Sequence, residues 1–89
     1  MSNEVMAYWV ERETGSFFSM ALEPADLCDH MDYADTVRLK FARRALALTV
    51  IPMKRLNEDW ARAAIENVRD AGAERRREIA QSRFLASAP

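Results

Sequence analysis

The side chains with the richest chemistry in this sequence lie close together, between positions 28 and 32. They are one thiol, one imidazole and two carboxylates: Cys28, His30, Asp29 and Asp32. Because successive residues of a helix point about 100° apart, Cys28 and His30 diverge if this segment is helical. A structural zinc site needs four ligands, and the chain has no second cysteine or histidine to complete one. We therefore expect no metal and no Cys–His nucleophile here, with Cys28 a small buried residue and His30 at the surface.

Other patterns typical of catalysis are weak in this sequence. Gly15 and Gly72 are the only glycines, so a glycine-rich loop that cradles phosphate is absent. Carboxylates are numerous, but a chain of 89 residues with no evident pocket gives no reason to expect a carboxyl group with a raised pKa. The sequence therefore predicts a non-enzymatic protein that binds no cofactor and no metal.

The net charge of −1 conceals a strong separation of charge along the chain. Residues 1–38 contain eight acidic residues against two arginines, a net charge of −6. Residues 39–89 contain eleven basic residues against six acidic ones, a net charge of +5. Such separation is compatible with pairing inside one fold, with head-to-tail contact between copies, or with presentation of one half to a charged partner.

Four arginines in the last third of the chain are the candidate nucleic-acid contacts: Arg69, Arg75, Arg76 and Arg77. Three consecutive arginines spread over most of a helix circumference, so they cannot all face one phosphate backbone. The sequence pI of about 5.8 is also well below that of a typical DNA-binding domain. Nucleic-acid binding through this basic helix is therefore the alternative hypothesis, and a solvated basic face is the simpler interpretation.

Four aromatic side chains crowd into the first fifth of the chain: Tyr8, Trp9, Phe17 and Phe18. One interpretation is that they form most of the hydrophobic core. The other is that they anchor a protein partner or a second copy, because exposed tryptophan, tyrosine and phenylalanine are typical of interface hot spots. These four residues are the candidate partner-binding site.

Length and composition predict a single small domain. The chain is 49% hydrophobic and 30% charged, which is typical of a folded globular protein. A domain of this size buries only a little over 60% of its unfolded surface, so we expect self-association into a homo-oligomer. The lone cysteine permits no internal disulfide, and no apolar run approaches the roughly 20 residues needed to cross a bilayer. With no evident signal peptide, these features predict a cytoplasmic protein without membrane contact.

Residues 57–84 carry the pattern of one long amphipathic helix, followed by a frayed tail at 85–89. Asn57 is suited to cap this helix, and no proline interrupts the run that follows. Its apolar stripe is rich in alanine, so Trp60 and Ile65 are expected to contribute most of the buried area.

Residues 24–50 are also predicted to be helical, with Pro24 at a first helical position and Pro52 ending the segment. An apolar arc at helical spacing supports this prediction: Ala34, Val37, Phe41, Ala45 and Leu48. The short connection at 53–56 then favours antiparallel packing of this segment against the long helix.

Residues 1–22 fit two structures. Apolar residues recur there at helical spacing: Val5, Met6, Trp9 and Val10. Because Gly15 also suits the position just past a helix, a short helix over 4–22 is the preferred interpretation. The alternative is a β-hairpin, in which 5–10 and 17–22 flank a polar turn.

Together these features predict a mainly α protein, a small three-helix bundle or antiparallel helical hairpin with a long C-terminal helix. We expect a regulatory or inhibitory protein, of a kind that bacteria and phages encode, that acts by protein–protein binding. The alternative from another functional class is a nucleic-acid-binding accessory protein.

Overall fold

The computed structural model describes residues 4–22 and 43–87, which form three strands, one short 3-10 helix and one long α-helix. Their bounds along the chain are β1 Val5–Glu11, β2 Phe17–Leu22, β3 Ala45–Pro52, the 3-10 helix Met53–Arg55 and α1 Asp59–Ser87. The fold is therefore α+β. The prediction of a mainly α three-helix bundle or helical hairpin was wrong, because about a third of the described residues form a three-stranded antiparallel sheet.

β1 is the central strand and is antiparallel to both of its neighbours, so the sheet order is β2-β1-β3. β1 and β2 form a hairpin whose register runs from Val5 opposite Leu22 to Val10 opposite Phe17. Both outer strands are edges of the sheet within the described residues, since each has only β1 as a neighbour.

β3 pairs with the other side of β1, starting with Pro52 opposite Val5. The register shifts between Val10 and Glu11, where Leu46 becomes the extra residue of a β-bulge. A bulge of this kind bends the strand and disrupts the regular ladder.

The turn of the hairpin depends on one glycine. Gly15 has a φ of 74°, a left-handed conformation that glycine adopts without steric penalty. Its N–H donates to the carbonyl oxygen of Glu11 at 2.8 Å, and the N–H of Glu11 donates to the carbonyl oxygen of Ser16 at 2.9 Å. The Thr14 hydroxyl accepts a hydrogen bond from the N–H of Ser16 at 3.1 Å, which closes the turn with local side-chain bonds.

The sheet has two faces, because successive residues of a strand point in opposite directions. We call the face that α1 covers the helix face; it carries Met6, Tyr8, Val10, Phe17 and Ile51. Val10 and Ile51 are fully buried there. A Cβ atom placed on Gly72 of α1 would lie 3.1 Å from Cγ2 of Val10, which shows how closely the helix approaches this face.

The opposite side of the sheet, the far face, holds a separate apolar cluster. Its buried members are Val5, Ala7, Trp9 and Leu22, and four partly buried residues pack against them: Met20, Ala45, Leu48 and Val50. A single layer of sheet thus contributes apolar side chains to two opposite surfaces, so the strands show little of the polar alternation expected of a half-exposed sheet.

α1 is one uninterrupted helix of 29 residues, about 43 Å long, which confirms the predicted long C-terminal helix. Its bounds are 59–87 rather than 57–84, so the prediction of a frayed tail was wrong for residues 85–87, which are helical. Ala61, Val68 and Gly72 are its buried residues in the described part of the chain. Trp60 is 50% exposed, so only half of its surface contributes to the buried area expected from Trp60 and Ile65. The last turns extend beyond the hairpin, where Phe84 is 72% exposed.

The preferred helix over 4–22 was also wrong, and the alternative hairpin is the structure that forms. The residues that suggested a helical stripe are split between the two faces: Trp9 lies on the far face, and Met6 and Val10 lie on the helix face. Gly15 ends no helix; it provides the positive φ of the hairpin turn.

The predicted helix over 24–50 is contradicted at its C-terminal end, where Ala45–Pro52 is strand β3. The apolar arc placed Ala45 and Leu48 at helical spacing. The residues that follow, Thr49, Val50 and Ile51, favour β structure because their side chains branch at Cβ. Residues 24–42 of that prediction lie outside the described residues. Within the described ranges, no helix is both long and apolar enough to cross a membrane.

Candidate interaction surface

The outer edge of β2 presents backbone groups that the sheet does not use. Ser16 accepts a hydrogen bond from Glu11 of β1, so by alternation every second residue after it also turns its N–H and C=O toward β1. These are the inward residues of β2: Phe18, Met20 and Leu22. The residues between them direct their N–H and C=O away from the sheet, and we call them the outward residues: Phe17, Ser19 and Ala21.

The side chains of β2 leave this edge accessible. Its sequence is FFSMAL, with no charge and no proline, and its pairing with β1 shows no bulge. Ser19 and Ala21 are exposed, and Phe18 is 42% exposed. Natural edge strands are usually protected from further pairing by charged side chains, proline, bulges or a covering element. β2 has no charged side chain, no proline and no bulge.

β3, the other edge, is also uncharged, but it differs from β2 in having a bulge and a proline. It carries the bulge at Leu46, and it ends on Pro52, which has no N–H to donate. Most of its residues are half-buried. The two edges of the sheet are therefore not equivalent: among the described residues, β2 lacks the bulge and the proline that β3 has.

The four aromatic residues predicted to bind a partner form two stacked pairs across the hairpin. On the helix face, the rings of Tyr8 and Phe17 have centroids 6.1 Å apart. On the far face, the rings of Trp9 and Phe18 have centroids 4.8 Å apart. Trp9 is only 6% exposed and belongs to the buried cluster, whereas Phe18 is 42% exposed. Phe18 is thus the member of the set that offers most surface to a partner.

Two arginines cover the rings of these pairs. The guanidinium carbon of Arg69 lies 5.1 Å from the centroid of the Phe17 ring, and that of Arg44 lies 5.2 Å from a ring centroid of Trp9. Arg44 also forms a salt bridge of 3.1 Å with Glu11. Cation–π contacts at such exposed sites contribute about 0.5–1 kcal/mol each, so they orient the side chains more than they stabilise the fold.

The candidate nucleic-acid residues are used mainly to hold α1 against the hairpin. Nε of Arg75 donates to the carbonyl oxygen of Arg12 at 2.8 Å. Nη1 of Arg76 donates to the carbonyl oxygen of Gly15 at 2.6 Å. Arg75 also pairs with Glu78 at 3.2 Å, whereas Arg77 is exposed. The arginine run therefore does not form one continuous basic surface.

The described residues provide no alternative chemical centre. Among them, no group of three or more histidine, cysteine, aspartate or glutamate side chains is placed to hold a metal ion. The cluster of Cys28, Asp29, His30 and Asp32 lies outside the described residues. A depression beside the hairpin is lined by acidic and basic side chains together: Glu11, Arg12, Glu13, Arg43 and Arg44.

Sequence reasoning found the aromatic residues but missed the strand edge that two of them lie on. The missed signal was the absence of any charged residue between Phe17 and Leu22, in a chain that is 30% charged. Six consecutive uncharged residues at an edge are unusual because such an edge readily pairs with another strand.

Comparison with known proteins gives no relative from which a function could be transferred. Neither a protein-family model nor a curated protein nor a solved structure matches this chain. The functional evidence is therefore the geometry of the molecule itself: within residues 4–22 and 43–87, an uncharged strand at the edge of the sheet with an exposed phenylalanine.

Proposed function

We propose that this chain is a small, non-enzymatic regulatory or inhibitory protein that acts by binding another protein in the cytoplasm. The observation that supports this proposal is the outer edge of β2, where the outward residues direct N–H and C=O groups away from the sheet that bond to no residue of 4–22 or 43–87. About a third of the described residues thus form a sheet that another extended segment can continue.

The binding mode that this edge favours is strand addition. An extended segment of the partner aligns along β2 and forms main-chain hydrogen bonds with Phe17, Ser19 and Ala21. Main-chain bonds supply affinity with little dependence on sequence, and pockets for alternate side chains supply specificity. On the far face, the exposed ring of Phe18 is the first side chain that an added strand would contact.

Binding of this kind suits an inhibitor or a scaffold. A protein whose strand is held along β2 cannot use that strand elsewhere, so a small chain could occlude a much larger partner. The rigid support comes from β1, since β2 is paired with it along its whole length.

The nucleic-acid alternative has weaker support. Arg75 and Arg76 already donate to backbone carbonyls of the hairpin, so their guanidinium groups are directed toward this chain rather than arranged as one surface for phosphate. A net charge of −1 provides no long-range attraction toward a polyanion.

Substitution of Ser19 by proline tests the proposal directly. The N–H of Ser19 points outward, so proline removes one donor from the edge and leaves the bonds to β1 in place. The matched control is Ser19→Ala, which keeps the N–H. Both variants and the natural chain are immobilised at equal density and exposed to lysate of the organism that encodes the protein. Bound proteins are quantified by mass spectrometry.

We expect one or a few proteins to be retained by the natural chain and by Ser19→Ala, and their amounts to fall at least tenfold with Ser19→Pro. Equal retention by all three proteins would rule out the β2 edge as the binding surface. Retention of nucleic acid with no specific protein would support the alternative function. Circular dichroism of each variant checks that the sheet and the long helix are intact.

A further inference from the structure

We infer that the strand which occupies the β2 edge in the isolated protein is β2 of a second copy, aligned antiparallel about a two-fold axis at Ser19. This inference rests on the proposed function, because it uses the same edge. It adds the identity of one partner and a defined register. The result is a continuous six-stranded sheet formed by two chains.

The two-fold register follows from the alternation of the strand. The outward residues are symmetric about Ser19, so placing Ser19 opposite its copy also places Phe17 opposite Ala21 of the second chain. Each of these opposing residues has both N–H and C=O directed at the other strand, which gives about six new ladder bonds. A two-fold axis requires such a register. If one residue of the first chain faces a given residue of the second, the same two positions must also face each other with the chains exchanged.

The side chains are also complementary in this register. On the far face, Phe18 lies opposite Met20 of the second copy, at a non-hydrogen-bonded position where the strands approach most closely. A thioether against the exposed ring is a favourable contact, and it covers a phenylalanine that is 42% exposed in one chain. On the helix face, the small Ala21 leaves room for Phe17 and for Arg69 above its ring.

Charge does not oppose the pairing. β2 carries no charged side chain, so a two-fold axis through Ser19 brings no like charges together on the strand itself. The axis is perpendicular to the sheet, and both copies of α1 therefore lie on the same side of the six-stranded sheet. The bulge and terminal proline of β3 disfavour the equivalent arrangement at the opposite edge.

The expected affinity is modest. Strand pairing over the five residues 17–21 buries much less than the roughly 800 Å² per partner of a stable protein interface. We therefore expect a dissociation constant on the order of micromolar or weaker, with monomer and dimer in a concentration-dependent equilibrium. A competing strand from another protein could displace the second copy from such an edge.

Register-specific disulfide formation tests this inference. All variants carry Cys28→Ser, so that the natural thiol does not react. Cysteines at hydrogen-bonded positions of an antiparallel pair have Cα atoms about 5.5 Å apart, within the range that a disulfide requires. Ser19→Cys should therefore oxidise to a covalent dimer by itself. Phe17→Cys and Ala21→Cys should not, because each lies about 14 Å from its own copy, four residues along the strand.

Mixing the Phe17→Cys and Ala21→Cys proteins should restore cross-linking, because those two positions face each other in the inferred register. Sedimentation equilibrium of the uncross-linked Cys28→Ser protein should show a monomer–dimer equilibrium that Ser19→Pro shifts at least tenfold toward monomer. A protein that stays monomeric at about 1 mM, or cysteines that cross-link equally at all three positions, would overturn the inference. If the protein is monomeric but Ser19→Pro still reduces its capture of another protein, the inferred dimer is wrong and the proposed function is still supported.

Discussion

Substitution of Gly72 by alanine tests the closest approach between α1 and the hairpin. In an exposed helix interior, replacing glycine by alanine stabilises a protein by up to about 1 kcal/mol, because alanine has the higher helix propensity. Here the added Cβ would lie 2.9 Å from the carbonyl oxygen of Gly15 and 3.1 Å from Cγ2 of Val10. The first of these is a backbone atom that Nη1 of Arg76 also holds, at 2.6 Å, so it cannot easily move away.

The two effects have opposite signs and different sizes. Overpacking of a closely packed contact costs about 1–3 kcal/mol, and the upper half of that range applies where the clashing atom belongs to the backbone. Subtracting the gain in helix propensity leaves a net destabilisation of about 1–2 kcal/mol for Gly72→Ala. For a domain of this size, that corresponds to a decrease in Tm of about 4–16 °C.

Urea denaturation followed by circular dichroism at 222 nm measures this change in the free energy of unfolding. The matched control is Ala63→Gly, an exposed position on the same helix, which should destabilise by about 1 kcal/mol through propensity alone. If Gly72→Ala instead stabilised the protein by 0.5 kcal/mol or more, as estimated for a glycine with open space around it, the close packing of helix and turn would be refuted.

Two further pairs of substitutions test the packing around the hairpin. Arg76→Met should destabilise the protein by about 1–2 kcal/mol, because it removes a charge-assisted hydrogen bond to Gly15, whereas Arg77→Met at an exposed neighbouring position should change stability by less than about 0.5 kcal/mol. Equal effects in urea denaturation would show that the hydrogen bond contributes nothing. Trp9→Ala should cost about 3–5 kcal/mol because Trp9 is 6% exposed, and Phe18→Ala should cost roughly half as much or less because that ring is 42% exposed. The opposite order of the two melting temperatures would contradict the burial of Trp9.

The long helix could be predicted from the sequence because its evidence is local. From Asp59 onward no proline interrupts the chain, and helix formers dominate it over 29 residues. A helix satisfies its backbone hydrogen bonds within one segment, so its pattern does not depend on distant residues. That independence made the prediction succeed.

The strands could not be predicted in the same way because their evidence is non-local. Ala47 and Leu48 are as typical of helices as of strands, and they form β3 because β1 lies alongside them. Both faces of the sheet carry buried apolar residues, so the polar alternation that identifies a strand is missing. The β-branched run from Thr49 to Ile51 was the one local indication of β3, whereas the hairpin of β1 and β2 was available as the alternative for residues 1–22.

Of the candidate interaction surface, only Phe17 and Phe18 could be named from the sequence, and its geometry could not. Composition was enough to single out Phe17 and Phe18, but spacing along a helix could not show that consecutive residues lie on opposite faces of a sheet. The availability of backbone groups at Ser19 depends on which strand is at the edge. Strand order is a property of the whole fold, and no local pattern contains it.

Amide hydrogen exchange of β2, followed residue by residue by NMR, tests the central claim most directly. In dilute protein, the inward amides should exchange at least a hundredfold more slowly than the outward amides, because only the inward ones are bonded to β1. As the protein concentration rises into the millimolar range, or when a captured partner is added, the outward amides of Phe17, Ser19 and Ala21 should become protected as well. Outward amides that are equally protected at every concentration and with no partner present would contradict an open edge.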